Sequence, residues 1–265
     1  MQKIDITSLQ NPQVKYAVKL REDKRLRLND RRIVVEGREE IHTAFITGAK
    51  PITLYTAPEL ITNGTTIISE ADQVLTVSRN VFNKLSYREN PDGWLAVFEM
   101  PDGQLTGLVL ADKPLLLVVE GIEKPGNLGA IIRTADAAGV NCILVTDPRV
   151  DIWNPNVIRA SRGAVFTLPV IMTDNSHCLE WLQAKDIEMV AASPGATHLY
   201  TEADYRNPTA FIVGTEDLGL TKFWFEHADL LVQIPMVGKV NSLNVSVASA
   251  LLIYEANRQR NLVLG

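Results

Sequence analysis

The run Leu115-Leu116-Leu117-Val118-Val119 limits the fold more than any other stretch of the chain. An unbroken series of branched apolar side chains suits a strand covered on both faces, as strands of parallel sheets are. The run ends in a polar, glycine-rich turn, Glu120-Gly121-Ile122-Glu123-Lys124-Pro125-Gly126-Asn127-Leu128-Gly129. A helix is expected from about Leu128 to Ala138, closed by Gly139, with the next strand at Cys142 to Val145. Parallel neighbours need such a crossover, so strand, loop, helix and strand together predict a parallel sheet. The loop is neither of two common phosphate cradles. It lacks the three-glycine dinucleotide spacing, and no Gly-Lys-Ser/Thr follows.

The same alternation returns between residues 211 and 258. Phe211 to Val213 reads as a short buried strand broken by Gly214 into Thr215-Glu216-Asp217 and Gly219. A second apolar run, Leu230 to Ile234, stops at Pro235. After Gly238 to Asn244 a helical pattern begins: Val245, Ala248, Leu251, Leu252, Glu255, Arg258. Ser242 or Asn244 can accept from the orphan N–H groups of its first turn. Loops of this kind cluster beyond the carboxyl ends of parallel strands, where ligands bind.

Read together, these strings resemble the SpoU/TrmH family of RNA 2'-O-methyltransferases, in the SPOUT superfamily. Asn127-x-Gly129-x-x-x-Arg133-Thr134-Ala135 looks like that family's first motif. Gly214-Thr215-Glu216-Asp217-Leu218-Gly219 looks like its Gly-x-Glu-x-x-Gly element. Ile234-Pro235-Met236 with Ser242-Leu243-Asn244-Val245-Ser246 looks like its closing signature. The resemblance implies an α/β protein whose C-terminal parallel-sheet SPOUT domain carries a deep trefoil knot. It implies S-adenosylmethionine as cofactor, bent into loops at about 213–219, 234–238 and 242–247. The cofactor-binding positions it implies are Val213, Gly214, Thr215, Glu216, Gly219, Ile234, Met236, Gly238, Ser242, Leu243 and Val247. The catalytic set it implies is Arg133, Asn127, Glu216, Ser242 and Asn244. A guanidinium is almost never deprotonated in a protein, so Arg133 is expected to grip phosphate and orient the ribose hydroxyl rather than act as base. Glu216 is a possible base or a holder of Arg133. The resemblance also implies a homodimer through the C-terminal domain, with the helix from Val245 to Arg258 as an interface element.

The N-terminal part reads as a second, smaller α/β domain. A helix over Gln13 to Leu28 is followed by a strand, Arg32 to Gly37, and a helix, about Arg38 to Thr47. Strands at Ile52 to Tyr55, Thr66 to Ile68, Gln73 to Val77 and Leu95 to Phe98 surround a short helix at Ser78 to Lys84. These pieces, with Leu85-Ser86 and Asn90 to Val97, look like the family's substrate-binding domain, which resembles ribosomal RNA-binding proteins. The expected division is residues 1–100 for RNA selection, a linker over 101–113 around Pro-Asp-Gly, and 114–265 for methyl transfer. In the latter, Val165 to Ile171 reads as strand-like, Cys178 to Ala184 as a helix and Met189 to Ala192 as a strand.

Charge supports a polyanionic partner for the N-terminal part. The chain has a net charge of −5, yet residues 15 to 38 hold nine basic and four acidic side chains. From residue 114 onward there are 11 basic and 16 acidic. Lys15, Lys19, Arg25, Arg32 and Arg38, with Arg159 and Arg162 from the stretch Asn154 to Ala164, are the expected RNA contacts. The resemblance of the N-terminal part implies ribosomal RNA of the large subunit as substrate in preference to tRNA.

Other chemistries have less support. His42, His177, His198 and His227 show no ligand spacing, so no metal is expected. No nucleophile elbow is present. No apolar run reaches the roughly 20 residues that span a bilayer. The opening residues, Met-Gln-Lys-Ile-Asp-Ile-Thr, lack signal-peptide regions. With Cys142 and Cys178 far apart, reduced thiols and a cytoplasmic location are expected. Two rival functions stay open: an RNA-binding protein with a retired methyltransferase fold, and a doubly wound dehydrogenase, against which the missing dinucleotide fingerprint argues.

Overall fold

A computed structural model describes residues 4–62, 71–215 and 219–261. The chain forms two compact units. The first comprises 1–102 and 151–167; the second comprises 103–150 and 168–265. The expected strand at Thr66 to Ile68 lies outside the described residues.

The first unit begins with β1 (Ile4–Ile6), α1 (Pro12–Glu22), α2 (Lys24–Asp30), β2 (Arg32–Glu36) and α3 (Arg38–Ile46). It continues with β3 (Pro51–Thr56), β4 (Gln73–Val77), α4 (Arg79–Leu85) and β5 (Trp94–Glu99). The strands form one sheet in the order β1-β4-β3-β5-β2. Pairs β1·β4 and β3·β4 are parallel, while β5 runs antiparallel to both β3 and β2. Asn11 opens α1 by accepting from the Gln13 N–H at 2.9 Å, with Pro12 at the first helical position, where a missing N–H costs nothing. Val14, Ala17 and Leu20 on one face of α1 pack with Val34, Leu75, Phe82 and Val97.

The single helix expected over Gln13 to Leu28 is in fact two. Asp23 stands in extended backbone, and its carboxylate accepts from the N–H groups of Arg25 and Leu26 at 2.8 and 3.2 Å. A side chain that caps a new helix breaks the old one.

The second unit starts with β6 (Leu115–Glu120), α5 (Pro125–Ala137) and β7 (Cys142–Thr146). Its helix begins at Pro125, three residues before the expected start, because proline is tolerated at a helix N-terminus. The chain then supplies the first unit with α6 (Pro155–Ala160). The strand-like run Val165 to Ile171 is divided: Ala164–Phe166 is a 3-10 turn, and only Val170–Thr173 forms a strand, β8. Gly163, at φ +84°, turns the chain into that 3-10 segment.

The remaining elements are α7 (Asn175–Gln183), β9 (Glu188–Ala192), β10 (His198–Leu199), β11 (Thr209–Val213), α8 (Lys222–His227), β12 (Leu230–Gln233) and α9 (Val245–Asn261). The sheet order is β10-β12-β9-β11-β6-β7-β8, and every pairing is parallel. All six residues of β6 are buried, as the apolar run required. One face of the sheet packs Leu116, Leu144, Ile212 and Trp224 with Cys142 and Cys178. Both cysteines are free thiols, and burial pushes each up to about 12. On α9, Leu252, Ile253 and Ala256 are buried, and the helix packs against α5 and β11. The Asn257 amide donates to the Ala138 carbonyl at 2.7 Å, satisfying an orphan acceptor at the end of α5. Among the described residues no helix is long and apolar enough to cross a membrane.

Candidate active site

Because β9, β11 and β12 are adjacent and parallel, their carboxyl ends open on one side of the second unit. A cleft of about 570 Å³ lies there. Of the expected cofactor positions, Val213, Gly214, Thr215, Gly219, Ile234, Met236, Ser242 and Leu243 line it together. Gly238 and Val247 do not line it; both are exposed. Glu216 lies outside the described residues. Sequence reading missed Ser193 and Pro194, which follow β9, and Phe225 on α8. The strand Met189 to Ala192 before them was legible, but only the sheet order brings its end beside β11 and β12.

The loop after β11 explains its glycines. Thr215 and Gly219 exchange backbone hydrogen bonds of 3.1 and 3.0 Å, so the chain doubles back tightly, with Gly219 at φ +68°. A Cβ on Gly214 would stand 2.2 Å from the Gly219 carbonyl oxygen and 2.5 Å from the Leu220 nitrogen. These are backbone atoms and cannot swing aside. Gly214→Ala is therefore expected to lower stability by about 1–3 kcal/mol, as overpacking does, and to deform the cleft. Urea unfolding measures this, and an unchanged midpoint would contradict it.

Behind the loop, Glu120 is buried at the end of β6. Its carboxylate accepts from the Thr221 N–H and hydroxyl at 2.8 and 2.7 Å and from the Asn175 amide at 2.8 Å. Asn175 in turn accepts from the Trp224 indole at 3.1 Å. This network fixes where the loop rejoins α8.

At the other rim, Asn244 caps α9: its Oδ1 accepts from the Ser246 N–H at 3.0 Å and the Ser246 hydroxyl at 2.5 Å. Its amide donates to Asn127 Oδ1 at 3.3 Å. The first motif and the closing signature, far apart in sequence, thus meet through two amides. Arg133 lies six residues further along α5, exposed, with no ion pair or side-chain hydrogen bond among the described residues. It does not line the cleft. Among the described residues no group of three or more His, Cys, Asp or Glu could hold a metal ion.

The chemistry of the cleft follows from its walls. Among the described residues, none of those lining it is charged. Apolar Val213, Ile234 and Leu243 line it together with the hydroxyl residues Ser242 and Thr215. Such a site suits a flat, polar-edged heterocycle of drug-like size, held by its rim.

In the first unit, Lys15, Lys19 and Arg25 are exposed. Arg32 is half-buried, its guanidinium 5.8 Å from the Tyr16 ring centroid, and Arg38 pairs with Glu39 at 2.9 Å. Arg159 and Arg162 are exposed and share a separate cleft with Tyr87 and Asn90.

Comparison with known proteins agrees with this geometry. Residues 114–254 match the SpoU rRNA Methylase family, and residues 11–96 match the MRM3-like substrate binding domain. The 23S rRNA (guanosine-2'-O-)-methyltransferase RlmB of Pectobacterium atrosepticum is 39% identical over 150 residues, 56% of this chain and 62% of that protein. RlmB of Pseudomonas syringae pv. tomato is 35% identical over 189 residues, 66% of this chain and 76% of that protein. The chain spans about three fifths of the length of the first curated relatives it matches. A crystal structure of an RNA 2'-O ribose methyltransferase superposes with a TM-score of 0.85 at 40% identity, over 97% of this chain and 99% of the other. An AdoMet-bound rRNA methyltransferase from Sinorhizobium meliloti gives 0.89 at 29% identity, over 97% and 98%. The family match covers more than half of the chain, and with the α/β architecture and its parallel sheet the chain belongs to the SpoU rRNA methylase family.

Proposed function

We propose that the chain transfers a methyl group from S-adenosylmethionine to a ribose 2'-hydroxyl of large-subunit, 23S-type rRNA. The observation that carries this reading is the joining of the cleft, whose described lining residues carry no charge, to the Asn127–Asn244 pair at the starts of α5 and α9. The cleft suits the adenosine portion of the cofactor, since apolar residues and hydroxyl residues line it together. The bound sulfonium supplies an electrophilic methyl group. Val213, Ile234 and Leu243 would hold the adenine, with Gly214 letting the backbone come close. Asn127 and Asn244 fix the two helix starts against each other. Arg133 grips the RNA phosphate and aligns the 2'-hydroxyl for in-line attack. Orientation of this kind removes much of a transfer barrier. The hydroxyl proton leaves to water, to phosphate or to Glu216. The same reading includes a trefoil knot through the loops at 213–219, 234–238 and 242–247, and a cytoplasmic site of action.

The reading also includes a homodimer. Val247, Leu251 and Tyr254 are 47%, 36% and 52% exposed on successive turns of α9, a stripe that suits a second copy of the chain. The double substitution Leu251→Arg with Tyr254→Arg is expected to halve the mass measured by light scattering and to abolish activity. A wild-type chain that is already monomeric and active would contradict the dimer.

Transfer of tritium from labelled S-adenosylmethionine into unmethylated 23S rRNA and bulk tRNA tests the function. Label in rRNA alone is expected. Label in tRNA alone would keep the chemistry and overturn the substrate; label in neither would overturn both.

A further inference from the structure

We propose that Tyr87 and Arg159 form a stacking site for an unpaired nucleotide of the RNA, a reading that rests on RNA being the substrate. Tyr87 is 51% exposed, unusual for so large a ring. Its backbone, however, is tightly held. The buried Glu36 carboxylate accepts from the Tyr87 N–H at 2.7 Å and from the Ser86 hydroxyl at 2.5 Å. The next residue, Arg88, donates to the Glu36 carbonyl at 2.9 Å and pairs with Glu40 at 2.7 Å. The segment is therefore a rigid mount that presents the ring outward. An aromatic side chain with no packing role there would need no such anchorage.

Arg159 meets the ring from α6. Its guanidinium carbon lies 5.7 Å from the Tyr87 centroid, within cation–π range. Asn156 Oδ1 accepts from its Nε and Nη2 at 3.3 and 2.9 Å, which sets the plane of the guanidinium. Two flat, oriented π surfaces thus stand together at the edge of a cleft of about 720 Å³. Arg162, exposed at φ +53°, lines the same cleft and is placed to meet a phosphate. Asn90 offers an amide for a base edge. Of the carboxylates in the cleft, Glu40 is engaged by Arg88, leaving Glu89 against the two exposed arginines.

Aromatic rings and guanidinium planes bind bases that have left the duplex, because a paired base has both faces covered. A cluster built for phosphate alone would need the arginines and not the ring. The ligand class is thus a single-stranded or flipped-out nucleotide of the RNA.

The test uses the full chain with a fluorescein-labelled 12-nucleotide single-stranded RNA and the matching duplex, read by anisotropy. It adds methyl transfer to an unmethylated 23S rRNA transcript. Tyr87→Ala is expected to weaken single-strand binding roughly ten-fold, in line with loss of one stacked base. Duplex binding and the slope of log affinity against log salt should stay unchanged, and KM for the transcript should rise with kcat preserved. Tyr87→Phe should behave as wild type. Arg162→Ala should flatten the salt slope by about 0.7, the share of one phosphate contact. Tyr87→Ala binding single strands as tightly as wild type would overturn the stacking site, as would equal loss on duplex. If the wild type methylates rRNA and Tyr87→Ala is indistinguishable from it, this proposal fails alone. If the wild type binds single strands through Tyr87 but transfers no methyl group, the proposed function fails alone.

Discussion

Arg133→Ala is expected to lower the rate of methyl transfer about a hundred-fold or more while S-adenosylmethionine affinity stays within about two-fold. The split follows from position. Arg133 sits on α5 beyond Asn127, exposed and outside the cleft, so a cofactor seated there as proposed loses no contact when it goes. Its guanidinium makes no ion pair among the described residues that would hold it away from a substrate. A guanidinium is almost never deprotonated in a protein, so the proposed contribution of Arg133 is charge and geometry. On the proposed reading, losing the phosphate grip lets the 2'-hydroxyl wander from the line of attack. Arg133→Lys should recover part of the rate, since it restores the charge without the planar fork. Single-turnover kinetics beside calorimetric titration of the cofactor separates the two effects. Equal losses in rate and in cofactor affinity would assign Arg133 to the cofactor site instead.

The second large effect concerns stability. Arg27→Ala is expected to cost about 3–5 kcal/mol, the usual penalty for leaving a buried charge without its partner. The side chains of Arg27 and Asp151 are 2% and 4% exposed and pair at 2.8 Å. Arg27 also donates to the Leu20 and Arg21 carbonyls at 2.8 and 2.9 Å, closing the end of α1. Asp151 accepts from the Trp153 N–H at 2.9 Å. Alanine at residue 27 would strand that carboxylate inside the first unit. Asp151→Ala should cost a similar amount, and the double variant should cost less than the sum, because the two charges act as one element. Urea unfolding of the three variants measures it. A loss under about 1 kcal/mol for Arg27→Ala would show the carboxylate finding water.

These two arginines also mark what sequence could and could not say. The strands of the parallel sheet were legible because burial on both faces demands unbroken apolar runs, as at Leu115 to Val119 and Cys142 to Val145. The cap on α9 was legible as Ser242 or Asn244, polar residues before an apolar period, and the structure uses Asn244. Arg27 was not legible. It reads as one more cation in a basic stretch, and its partner lies 124 residues away. Asp23 was hidden the same way: in a charged helix an aspartate looks like surface until its carboxylate is seen capping α2. Strand order is a tertiary fact, so Ser193, Pro194 and Phe225 carried no local mark of the cleft they line. Short elements such as β10 and α8 hold too few residues for a period to show. The roles of Asn127, Arg133 and the closing signature came from resemblance to a family; periodicity gave only their helices.

The most direct measurement asks where the methyl group is attached. Unmethylated 23S rRNA is incubated with the chain and tritiated S-adenosylmethionine, hydrolysed in alkali and separated by size. A methylated 2'-hydroxyl cannot attack its neighbouring phosphate, so label is expected in one alkali-resistant dinucleotide, and about a hundred-fold more slowly with Arg133→Ala. Label recovered in mononucleotides would place the methyl group on a base and contradict the account.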